Sequence, residues 1–229
     1  CFALSLRGHG ESKGRGLCKL FYKLSCYVAD VEKIVEYCQN KTHAKPYIIG
    51  HSMGGAIVQK YLDSHSDAVS GAVLLAPVTA GGMGIGRICA TCVSKSGWCT
   101  APTVLTGHNR TKWLRNSNFF VAKGDKGHAV PRITDEKELA YFNEQLCSES
   151  PVAMLGLARY RLDTAIEVPV FVIGSHADAY FPRESLETTE ARYGTKHFAF
   201  EDLCHDMMLD EKGWEDTACA ILGFLDERR

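Results

Sequence analysis

The residues best suited to chemistry lie in Gly50-His51-Ser52-Met53-Gly54-Gly55. A short apolar run, Tyr47-Ile48-Ile49, leads into them, and Ala56-Ile57-Val58-Gln59-Lys60-Tyr61-Leu62 follows. Strand, tight turn and helix are expected in that order. The spacing G-x-S-x-G suits a nucleophile elbow, a turn so sharp that the residues flanking the serine must be glycines. Without a Cβ at Gly50 and Gly54, strand and helix can approach closely while Ser52 takes a strained backbone conformation and presents its hydroxyl. The start of the helix adds partial positive charge and free N–H groups beside that hydroxyl.

A serine hydroxyl attacks well only when a base takes its proton, and the base must be held in one orientation. Ser52 therefore predicts a histidine and an acid at the carboxyl ends of later strands. Asp178 follows the apolar run 168–173, in Gly174-Ser175-His176-Ala177-Asp178, with Pro182 beyond. His205 follows the run 196–200, in Cys204-His205-Asp206-Met207-Met208-Leu209-Asp210. The order Ser, Asp, His is that of the hydrolase sheet fold and not that of chymotrypsin-like or subtilisin-like proteases. Asp163, Asp202, Asp206 and Asp210 are rival acids, and His176 is the nearest rival base. His51 is expected to point away from Ser52, His197 lies within a strand pattern, and His9 reads as a turn residue.

The elements that must position these groups can be read from periodicity. Phe2-Ala3-Leu4-Ser5-Leu6 reads as a buried strand ended by Arg7-Gly8-His9-Gly10-Glu11-Ser12, where two glycines mark a turn. Tyr27, Val28, Val31, Ile34, Val35 and Cys38 recur at helical spacing, which predicts an amphipathic helix covering a sheet. Ala72-Val73-Leu74-Leu75-Ala76 is a further buried strand stopped by Pro77, and Trp214, Ala218, Ile221, Leu222 and Leu225 predict a terminal helix. Strands alternating with helices imply a mostly parallel sheet with right-handed crossovers, an α/β fold. The alternation fails between Thr79 and Ala165. There Thr134 can cap a helix holding Leu139, Phe142 and Leu146, and Ser150-Pro151 can open another holding Met154, Leu155 and Leu157. The expected organisation is a core over 1–78, a small, mostly helical lid over 79–165 inserted after the third visible strand, and the second part of the core over 166–229. Phe119, Phe120, Val121, Met154, Leu155 and Leu157 can line an acyl pocket or form the lid's own core.

Composition bounds the rest. The 229 residues are 45% hydrophobic and 23% charged, enough for a packed core, and a net charge of −1 argues against a nucleic-acid or polyanion binder. No apolar run approaches the roughly 18 residues that span a bilayer, so a soluble chain is expected, with the compartment open and the cytoplasm favoured. Cys89-x-x-Cys92 followed by Cys99 offers three of the four ligands a zinc site needs and no partner pair, so no metal is expected; in an oxidising compartment a disulfide there is the better reading. Gly81-Gly82-Met83-Gly84-Ile85-Gly86 has spacing akin to a dinucleotide fingerprint but lacks the strand-to-helix unit and the acidic residue that the fingerprint requires. Asn40-Lys41-Thr42 and Asn109-Arg110-Thr111 are glycosylation sequons, which chance often produces. Residue 1 is a cysteine inside an apolar run, so the sequence is expected to lack its natural N-terminus and any targeting segment.

Four motifs in order, Arg7 to Ser12, the Ser52 turn, Asp178 to Pro182 and His205 to Asp210, resemble the α/β-hydrolase fold family, and within it the lipase/esterase, monoacylglycerol-lipase-like branch. The resemblance implies Ser52 as nucleophile, His205 as general base and acid, Asp178 as the residue orienting His205, and the Met53 backbone N–H as one oxyanion donor. It implies no metal or organic cofactor and a small-molecule or lipid-like ester substrate. In this family a second donor comes from a loop before the Arg-Gly-His-Gly turn, upstream of Cys1. Residues 1–229 alone are therefore expected to fold poorly and be nearly inactive. Hydrolysis of carboxylic esters leads. An acyltransferase or thioesterase using the same nucleophile, and a non-catalytic ligand-binding sheet domain, are the alternatives.

Overall fold

The computed structural model describes residues 1–12, 14, 16–86, 119–124, 128–145, 147 and 149–228. Its centre is a four-stranded sheet of β1 (Tyr47–His51), β2 (Gly71–Leu75), β5 (Val170–Ser175) and β6 (His197–Phe200), in the order β1-β2-β5-β6. Every pairing is parallel, with Tyr47 opposite Gly71, Ala72 opposite Val170 and Val172 opposite His197. Parallel strands need helical crossovers, and these cover both faces of a sheet. The alternation of β2 shows this. Ala72 and Leu74 pack with α1 (Leu24–Thr42), α2 (Met53–His65) and Leu186 of α5 (Arg183–Tyr193). Val73 and Leu75 face the other way, onto Leu203, Met207 and Phe224, the last from α6 (Trp214–Asp226). All five residues of β2 are buried.

The α1 stripe is Leu24, Tyr27, Val31, Val35 and Cys38, the spacing of a single buried helix face. α2 buries nearly its whole first half, because it lies flat on β1 and β2. No described helix is long and apolar enough to cross a membrane.

The expected strand Phe2–Leu6 is not formed. Residues 1–5 are exposed, with Phe2 at 49% and Leu4 at 41%. A strand exists only where a neighbour takes its backbone hydrogen bonds, and no described strand pairs with this run. Only Leu6 packs against the core, and Arg7 beyond it is tied to α1 by Asp30 at 2.6 Å. The segment 79–165 thus follows the second strand of the sheet and not the third.

Within that segment, β3 (Val121–Lys123) and β4 (Ala129–Pro131) form an antiparallel hairpin that the apolar pattern did not announce. α3 (Glu136–Gln145) and α4 (Pro151–Gly156) follow. Ser150 caps α4, accepting the Ala153 N–H at 3.3 Å. α3 is capped by Asp135 instead of Thr134: Asp135 Oδ1 accepts the N–H groups of Lys137 and Glu138, while Thr134 is engaged by Glu211. Gly81 to Gly84 run alongside 157–160, where Met83 N–H donates to Leu157 and Tyr160 N–H to Gly81. Cys89, Cys92, Cys99 and Asn109 lie outside the described residues.

Candidate active site

Four parallel strands bring their carboxyl ends to one edge, where side chains from loops far apart in sequence converge. Ser52 directly follows β1, Asp178 follows β5 by three residues, and His205 follows β6 by five.

Ser52 has φ 54° and ψ −117°, a combination that L-residues rarely adopt. Three backbone bonds hold it there: its N–H donates to Leu75 at 3.0 Å, and its carbonyl accepts from Gly55 at 3.0 Å and Val78 at 3.1 Å. The glycine requirement is real at Gly50, where a Cβ would collide with the Gly54 carbonyl group. It is not met at Gly54, whose missing Cβ faces open space among the described residues. The tight approach falls one residue later, at Gly55, where a Cβ would lie 2.7 Å from Pro77 Cβ. Met53 opens α2, so its N–H has no acceptor within the helix.

His205, 1% exposed, sits between the other two side chains. Its Nε2 is 2.8 Å from Ser52 Oγ and its Nδ1 is 2.9 Å from Asp178 Oδ2. A ring nitrogen facing a carboxylate carries the hydrogen, so Nδ1 donates to Asp178 and Nε2 is left to accept from the serine hydroxyl. Asp178 is equally buried, and its second oxygen accepts the N–H groups of Tyr180 at 2.6 Å and Phe181 at 3.0 Å. The carboxylate is thus fixed by the turn that Pro182 ends. Burial alone would depress the ionisation of His205; the charge and hydrogen bond of Asp178, with Asp206 adding to them, outweigh burial and hold it above the ordinary 6.5.

The rings of Tyr180, Phe181 and Phe119 stand 5.0, 5.3 and 6.1 Å from that of His205. Of the six apolar residues proposed for an acyl pocket, Phe119 stands beside His205. Phe120 packs with Ile133 and Leu139, Met154 and Leu157 join the main core, Val121 is buried, and Leu155 is 63% exposed.

The rival residues other than Asp206 are occupied elsewhere. Asp163 is exposed beside Arg161, His176 faces Glu201 and His197 faces Glu190. His9 bonds to Glu149 at 2.9 Å. Asp210, fully buried, is gripped by Arg132 through Nε at 2.8 Å and Nη2 at 3.0 Å, while Asp202 takes the third guanidinium nitrogen at 3.1 Å. Asp210 also accepts the N–H of Cys204, the residue before His205. Backbone bonds add to this: Asp206 N–H to Phe119, Lys123 N–H to Ala177 and Glu211 N–H to Arg132. The stretch 119–132 therefore fastens both the acid turn and the histidine loop. The sequence offered no local sign of this, since Arg132 lies 78 positions from its partner.

A parallel sheet with such a site at its carboxyl edge defines the α/β-hydrolase class. Residues 1–212 match the family described as serine aminopeptidase, S33, and the chain belongs to that family. A comparison with the curated proteins gives no match. Among solved structures, an esterase from Exiguobacterium antarcticum shares 20% identity at a TM-score of 0.69, covering 96% of this chain and 79% of that one. A monoacylglycerol lipase from Paleococcus ferrophilus shares 16% at 0.62, covering 97% and 81%. A bromoperoxidase from Bacillus anthracis shares 18% at 0.66, covering 96% and 79%. At these identities the likeness speaks for the fold.

Proposed function

We propose that the protein is a serine hydrolase that cleaves carboxylic esters through an acyl-enzyme, with Ser52, His205 and Asp178 as a catalytic triad on a nucleophile elbow. The observation that carries this is the unbroken hydrogen-bond chain from Ser52 Oγ through both ring nitrogens of His205 to Asp178. Ser52 Oγ attacks the ester carbonyl carbon as its proton passes to Nε2. The tetrahedral oxyanion forms beside the Met53 N–H, where a helix start favours negative charge. The C–O bond to the alcohol then breaks, and the leaving oxygen takes the proton from Nε2. Water repeats the sequence on the acyl-serine, giving its proton to Nε2, and collapse frees the acid and restores the hydroxyl. Asp178 keeps its charge throughout and stabilises the imidazolium. The substrate is a small-molecule or lipid-like ester, in keeping with the esterase and lipase among the structural relatives.

Labelling with a fluorophosphonate probe tests this directly. The full-length protein should be labelled and Ser52→Ala should not; absence of labelling, or equal labelling of the variant, overturns the reading. The pH dependence follows from the base. His205 must be neutral to accept the proton, and its ionisation lies above 6.5. Ester turnover as kcat/KM should therefore fall with acidification, with a midpoint above 6.5, when measured from roughly pH 5 to 9.

A further inference from the structure

Beside Ser52 and His205 lie a second histidine and a second carboxylate that the proton transfers above do not use. His51, the last residue of β1, turns its ring toward that loop. Its Nε2 lies 3.1 Å from the backbone carbonyl oxygen of His205 and 3.5 Å from Asp206 Oδ1. The two imidazole rings are 4.8 Å apart. Asp206 is 8% exposed and anchored by its own N–H, which donates to Phe119 at 3.0 Å. A ring nitrogen facing a carbonyl oxygen must carry the hydrogen, so His51 Nε2 is the donor to His205, with the Asp206 carboxylate close beside it.

The electrostatics agree with this geometry. Burial, joined by the nearby His205, pushes His51 down to about 3, so its ring stays neutral and adds no repulsion when His205 takes up a proton. Burial pushes Asp206 up to about 6, with His205 pulling it back and Asp178 pushing further. The titratable groups acting on Asp206 are thus His205 on its own loop, His51 from the end of β1 and Asp178 from the turn after β5, while Phe119 accepts its backbone N–H. His51, His205 and Asp206 also bring possible metal-ligand atoms within 4.8 Å of one another. Both ring nitrogens of His205 are already committed to Ser52 and Asp178, however, so the cluster lacks a third free ligand.

We propose that His51 and Asp206 are a positioning pair for His205: the His51 N–H pins the backbone of the base against the serine turn, and the Asp206 carboxylate adds a second negative charge behind its ring. The proposal rests on the serine-hydrolase reading for its effect on turnover but not for its effect on the imidazole. Asp206→Asn removes the added charge and keeps the shape. His51→Gln retains an N–H donor, whereas His51→Phe keeps the bulk without one.

The test combines ester kinetics across pH with an NMR titration of histidine-labelled full-length protein, each run on wild type and the three variants. In Asp206→Asn the His205 imidazole should titrate about half a pH unit lower or more, and the acid limb of kcat/KM should move with it. His51→Phe should lose about tenfold in kcat with KM unchanged, and His51→Gln should recover most of that loss. Unchanged titration of His205 in Asp206→Asn, or equal kcat in His51→Phe and His51→Gln, overturns the proposal. If the wild type neither turns over esters nor takes the fluorophosphonate label, the hydrolase reading fails while the titration still decides whether Asp206 acts on His205.

Discussion

Asp178→Asn should lower kcat by about four orders of magnitude while leaving the fold intact. The expectation comes from the two jobs of the carboxylate. One oxygen receives the N–H groups of Tyr180 and Phe181, and the other receives His205 Nδ1. An asparagine can keep its carbonyl oxygen on the two backbone donors, which leaves its NH2 facing the ring. An amide that donates to Nδ1 selects the opposite tautomer, with the hydrogen on Nε2. Nε2 then donates toward Ser52 and cannot accept its proton. The ring is in place and the wrong way round. The measurement is kcat on a simple aryl ester beside the thermal midpoint. A modest kcat loss with an unchanged midpoint would move the orienting role to another acid, with Asp206 the nearest.

The second large effect is on stability. Arg132→Ala should destabilise the protein by about 3–5 kcal/mol, the usual consequence of stripping one partner from a buried ion pair. Asp210 is fully buried, and its carboxylate would keep the backbone donors of Cys204 and Lys212 and the Cys204 thiol but no opposite charge to match its own. Domain stability is of the order of 5–15 kcal/mol, so the loss is a large share of the whole. Arg132→Lys should rescue little, because an ammonium cannot span both carboxylate oxygens with the guanidinium's rigid fork. Urea unfolding of the two variants and the wild type measures this; a midpoint for Arg132→Ala within error of wild type would show that the loop does not depend on the pair. Because Cys204 precedes His205, the surviving folded fraction should also show reduced kcat.

These two expectations divide along the line between what local sequence reveals and what it hides. Ser52, Asp178 and His205 were legible because each ends an apolar run and is flanked by turn residues, so topology alone placed them on one edge. β1, β2, β5 and β6 were legible for the same reason, as short buried runs separated by helical periodicity. Arg132 was not, since a lone arginine in Ala129-Val130-Pro131-Arg132-Ile133 looks the same whether it meets solvent or a buried aspartate. Asp206 and Asp210 were noticed only as rivals to Asp178, and distance from their partners hid their separate surroundings. Phe2–Leu6 misled in the opposite direction. Apolar alternation records a preference for pairing, and pairing needs a neighbour that these residues do not have among the described strands. The glycine pattern was half right: Gly50 answers to a steric demand, while the second demand falls on Gly55 instead of Gly54.

The backbone at Ser52 carries a further consequence. Its φ of 54° is comfortable for glycine and costs a residue with a side chain about 1–3 kcal/mol. Any selection that scores only thermal resistance or expression will therefore push position 52 toward glycine and discard the hydroxyl. Efforts to harden this protein need a functional readout running alongside, because the nucleophile proposed for it stands where the fold alone has no use for it.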